Sequence, residues 1–144
     1  MKILLVIHLV LAGIWLGCVL TEALFERALL GQGRAQELIL VGLHKRVDLW
    51  IEVPAFLGVM VTGGLLLTHA SFSAVLLTKM ASGLLAIAAN VYCVGLVFRR
   101  AHAARSGDWA KFEALDQLQH KWGAVVLVAM LVALGLGVGL LVRA

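Results

Sequence analysis

The sequence is short of everything that builds a soluble surface. Charged residues make up 14% of its 144 positions and aromatics 7%, with one proline, one tyrosine and two cysteines. A soluble domain of this length has no interior large enough for a chain that is 62% hydrophobic with a mean hydropathy of +1.03. A lipid bilayer is the solvent that suits it. Cys18 and Cys93 each lie inside an apolar run, which excludes a disulfide-stapled scaffold, and both read as packing residues. No Gly-x-Ser-x-Gly elbow and no phosphate-cradling glycine loop occurs; Gly63-Gly64 lies within an apolar run. The lone Pro54 falls about one turn into the second apolar run, where it frees a backbone carbonyl and favours a kink.

What is present is four apolar stretches, Leu4 to Phe25, Val47 to Leu67, Ala74 to Phe98 and Trp122 to Val142. Each is close to the ~20 residues that cross a ~30 Å hydrocarbon core. They predict an all-α, integral membrane four-helix bundle in which residues 1–144 form a single transmembrane domain. The first linker, with Arg27, Arg34, Lys45 and Arg46, reads as polar and partly helical. The third, Arg99 to Lys121, is charged throughout, and its Asp108-Trp109-Ala110-Lys111-Phe112-Glu113 segment reads as an amphipathic approach to the fourth helix. The second linker, His69 to Ser73, has no Lys, Arg, Asp or Glu. Basic loops stay cytoplasmic, so both termini and the His69 turn are expected on the non-cytoplasmic side of a bacterial-type inner membrane. Lys2 precedes an apolar run, yet no small-x-small cleavage site follows, and a retained first helix is expected. The net charge of +4 fits loops that face anionic lipid; nucleic acid is not an expected partner.

Against this apolar background the polar residues fall in two layers. At 100° per residue, His8, Trp15, Glu22 and Glu26 lie within ~40° of one another on the first helix. His8 and Glu22 are separated by 14 residues, or ~21 Å, so they cannot share an ion. His44, Asp48 and Glu52 form an i, i+4, i+8 ladder that starts the second helix at the depth of the two glutamates. His120 enters from the same side. Together, Glu22, Glu26, His44, Asp48, Glu52 and His120 form a candidate site for a non-haem metal, iron, manganese or zinc, because carboxylates and imidazoles drawn from several helices hold such ions. The same residues also suit an ion-pair network with Arg27, Arg46 or Lys121, and Asp116 suits a cap for the fourth helix. In the outer layer, Lys79 shares a face with Asn90 and Cys93 and lies at a depth similar to His8. The pair reads either as snorkelling and packing residues or as a joint site for a haem.

The run His8-Leu9-Val10-Leu11-Ala12-Gly13-Ile14-Trp15-Leu16-Gly17 resembles the first helix of HemJ-type protoporphyrinogen IX oxidases and of CopD-type copper-resistance membrane proteins. Arg46, Pro54 and Thr62-Gly63, followed by Lys79 and Cys93, resemble the HemJ pattern in helices two and three. The resemblance implies haem b, with His8 and Lys79 at the family's essential histidine and lysine, and a membrane oxidoreductase that passes electrons from its substrate to a partner. The expectation is therefore a membrane redox protein that binds haem b, a non-haem metal or both. A metal-handling module for copper, iron or zinc, a proton-coupled transport module and a small assembly subunit are the other readings. Copper(I) prefers soft ligands, and Met1, Met60, Met80 and Met130 do not align with the histidines. The expected partners are the bilayer and either an electron-transfer protein or a second copy of the chain.

Overall fold

The computed structural model describes residues 2–142. Helix α1 spans Lys2–Leu29, α2 Arg34–Val47, α3 Val53–Leu67, α4 Ala74–Ser106 and α5 Trp109–Val142. A π-helical turn, Asp48–Glu52, joins α2 to α3, so residues 34–67 form one continuous rod. Four helical rods, each long and apolar enough to cross a bilayer, thus run up and down in sequence. No strand occurs among the described residues. Met1, weighed among the methionines of the sequence, lies outside them.

Local chemistry explains the breaks. Between α1 and α2, Gly31 and Gly33 take φ values of 74° and 119°, a region costly for side chains with a Cβ. Ser73 caps α4 by accepting a hydrogen bond from the Leu76 amide at 3.2 Å. Gly107, at φ 76°, ends α4 with a Schellman-type closure in which Asp108 N–H bonds the Ala103 carbonyl at 3.0 Å. Asp108 then caps α5 through the Lys111 amide at 3.1 Å. Gly107→Ala should cost about 1–2 kcal/mol, the penalty of a left-handed Cβ, and lower the melting temperature in micelles without loss of helix.

The charged segment read as a linker, Arg99 to Lys121, is nearly all helix; only Gly107 and Asp108 interrupt it. Its alanines and long charged residues favour helix, and it has apolar residues to bury: Ala101, Ala103, Ala104, Phe112 and Leu115 pack with Leu96 and Val41. The fourth apolar stretch therefore begins deep inside α5, not at a helix start. Pro54 accounts for the π turn. It has no N–H and its ring crowds the carbonyl of Trp50, and the chain responds by widening so that Val53 N–H bonds the Asp48 carbonyl.

Packing is closest between α4 and α5 and between α1 and α3, with α2 against α4. A second core joins Trp15, Phe56, Ala86, Ala89, Val126 and Ala129, with the Trp15 and Phe56 rings 5.8 Å apart. The alanines of α4 let α5 approach closely. The apolar side chains that remain point outward, among them Leu24, Trp50, Val61, Leu84 and Val128, which are all exposed. That surface is compatible with contact to lipid tails.

Candidate metal centre

A cavity of about 190 Å³ lies between α1, the π turn, α4 and α5. Its walls include Glu22, Glu26, His44, Asp48, Glu52 and His120, so all six metal-candidate residues meet at one place. Asn90, Cys93 and Gln119 complete its polar lining. The six do not form one cluster, however. Arg100 divides them into two.

The inner cluster is Glu22, Asp48 and Glu52, each with a carboxylate oxygen within 4.8 Å of the others. Asp48 and Glu52 are 1% and 3% exposed. Among the described residues no Lys, Arg or His nitrogen lies within ion-pair distance of any of the three. Glu22 Oε1, Asp48 Oδ2 and Asn90 Nδ2 are buried without a hydrogen-bond partner. Three crowded carboxylates with no cation among the side chains cannot all stay ionised in a low-dielectric interior. They demand protons or a bound cation.

The outer cluster is already compensated. Arg100 is 0% exposed and donates from Nη1 to Glu26 Oε1 at 3.1 Å and to Asp116 Oδ1. Its Nη2 donates to His44 Nδ1 at 3.0 Å, which leaves the proton of a neutral His44 on Nε2, facing the Glu22 carbonyl at 3.4 Å. His44 is therefore a satisfied core histidine held by arginine, not a free ligand. His120 Nδ1 donates to the Asp116 carbonyl at 2.9 Å, and its Nε2 pairs with Glu26 Oε2 at 2.7 Å. Asp116 sits about two turns into α5 as a partner of Arg100, not as a helix cap. The cations read from the sequence as partners, Arg27, Arg46 and Lys121, are all exposed. Arg100 takes that role. Its position was legible: Asn90, Cys93, Leu96 and Val97, Arg100 and Ala103 recur every three or four residues along one stripe of α4. Gln119 continues the corresponding stripe of α5 from Phe112 and Asp116 to Val126.

The outer-layer pair sits elsewhere. The Thr62 hydroxyl donates to the Gly58 carbonyl at 2.7 Å, so His8 Nδ1–H donates to Thr62 Oγ1 at 2.8 Å. The imidazole packs over Gly63, where a Cβ would lie 3.3 Å from His8 Cε1. Lys79 packs on Gly137, where a Cβ would lie 2.9 Å from Lys79 Cε. Neither residue lines the 190 Å³ cavity, which is itself smaller than the ~300 Å³ of an ordinary small-molecule pocket. Each of the two residues packs one side against a helix glycine and is half-buried.

No protein-family model, curated protein or solved structure matches this chain.

The chemistry of the inner cluster is therefore read from its own atoms. Hard carboxylate oxygens with a nearby amide favour magnesium, manganese, iron(II) or zinc over copper(I). Cys93 is the one soft donor on the same wall.

Proposed function

We propose that this chain is a multi-pass membrane protein that binds one non-haem divalent metal ion at Glu22, Asp48 and Glu52, in the manner of a metal-handling module. A single observation carries this reading: three carboxylates, those of Asp48 and Glu52 buried and that of Glu22 partly so, converge within 4.8 Å while the adjacent arginine neutralises a different set. The bilayer is the partner that its outward apolar side chains favour. The clustering of Arg27, Arg34, Lys45, Arg46, Arg99, Arg105, Lys111 and Lys121 toward one end of the bundle supports a cytoplasmic location for that end. Both termini then lie on the opposite side, in a bacterial-type inner membrane.

The test is elemental analysis of the full chain purified in detergent after equilibration with manganese, iron(II) or zinc. Close to one ion per chain is expected, and Glu22→Gln should weaken retention about 10–100-fold. Equal metal content in wild type and Glu22→Gln would remove the site.

A redox role for the same ion is the second reading, favoured by the near-complete enclosure of Asp48 and Glu52, which shields a bound iron or manganese from water. Reversible oxidation of the bound ion without its release distinguishes this role from metal carriage.

A further inference from the structure

Glu26, Asp116 and His120 each offer one ligand atom within 4.8 Å of the others, immediately outside the inner carboxylates. They do more than neutralise Arg100. Glu26 and His120 line both the inner cavity and a wider, more open hollow of about 400 Å³ bounded by Ala23, Arg27 and Leu30. The two side chains therefore stand on a wall shared by the buried compartment and its surroundings. The two oxygens of Glu26 have different partners: Oε1 faces Arg100 and Oε2 faces His120. His120 is fixed by its Nδ1 bond to the Asp116 carbonyl, which aims Nε2 at Glu26, as the outer hydrogen bond of a metal-binding histidine does. Gln119, 7% exposed and also on the cavity wall, holds a buried Oε1 with no donor to accept from.

We infer that Glu26 Oε2, His120 Nε2 and Asp116 form a second, weaker site for a divalent cation, through which the ion passes from the open hollow to the inner carboxylates. This inference rests on the inner site binding metal. An arriving cation displaces the proton shared along the Glu26–His120 contact, which leaves through the open hollow, while Arg100 keeps its bond to Glu26 Oε1. The guanidinium charge beside the outer site keeps it weak, and the inner site has no such charge, so affinity rises inward. The step between them is short. Glu26 and Glu22 are one turn apart on α1, about 6 Å at 1.5 Å per residue. Gln119 Oε1 supplies an additional oxygen on that path.

The experiment follows manganese(II) loading of the full chain in detergent by loss of the free-ion EPR signal after rapid mixing, in wild type, Glu26→Gln and His120→Gln. Both variants are expected to reach the wild-type stoichiometry of tightly bound manganese, but at least about tenfold more slowly. His120→Gln decides the matter, because its side chain is half exposed whereas Glu26 also anchors Arg100. Unchanged helicity and melting temperature in His120→Gln show that the fold is retained. Loading of His120→Gln at the wild-type rate or faster overturns the outer site and leaves the inner site intact. Failure of wild type to bind manganese overturns both.

Discussion

Replacing Arg100 by leucine should destabilise the bundle by about 3–5 kcal/mol, the cost of leaving buried charges without their partner. The guanidinium is fully buried and bonds three side chains from three helices: Glu26 of α1, His44 of α2 and Asp116 of α5. Leucine fills part of the space and satisfies none of them. The loss should appear as a lower unfolding midpoint in micelles, with the α2 contacts opening first. Restoring neutrality is the control: Arg100→Leu combined with Glu26→Gln and Asp116→Asn should regain much of the lost stability, because no ionised group is then stranded. An Arg100→Leu protein as stable as wild type would mean that the network does not hold these helices together.

The second large effect has opposite signs with and without metal. Asp48→Asn combined with Glu52→Gln removes two of three crowded carboxylates and preserves side-chain shape. In metal-free buffer this variant should be more stable than wild type by about 1 kcal/mol or more, since like charges no longer share a buried space. Metal at a hundredfold excess over its dissociation constant should stabilise wild type by about 2.7 kcal/mol and leave the variant unmoved. The two melting curves should therefore change order when metal is added. Curves that keep their order would show that the carboxylates are held by protons alone.

Much of this arrangement was legible in the sequence. Helical spacing placed Trp15 and Glu22 on one face of the first helix, and the His44, Asp48, Glu52 ladder on one side of the second. Glu22 and the three ladder residues do meet in a common cavity, while Trp15 packs in the apolar core beside it. Depth, taken from the distribution of basic residues, matched acids from separate helices. The partition of the cluster was not legible, because it depends on one arginine inside a segment that reads as a charged linker. Counting charge by segment hides Arg100; reading α4 by its three-and-four spacing exposes it. His44 shows the limit of residue type. An imidazole with a free lone pair and one held by a guanidinium look alike until the partner is located 56 residues away. The π turn was legible only as a proline kink, since Pro54 reports a lost hydrogen bond but not how the chain absorbs it.

The most direct measurement is X-ray absorption at the edge of the bound metal, on the purified wild type and on the Asp48→Asn, Glu52→Gln protein. A first shell of oxygen scatterers at about 2.0–2.2 Å in wild type, lost in the variant, is the outcome that three converging carboxylates require. A metal-free wild type, or a shell dominated by sulfur at about 2.3 Å, would contradict it.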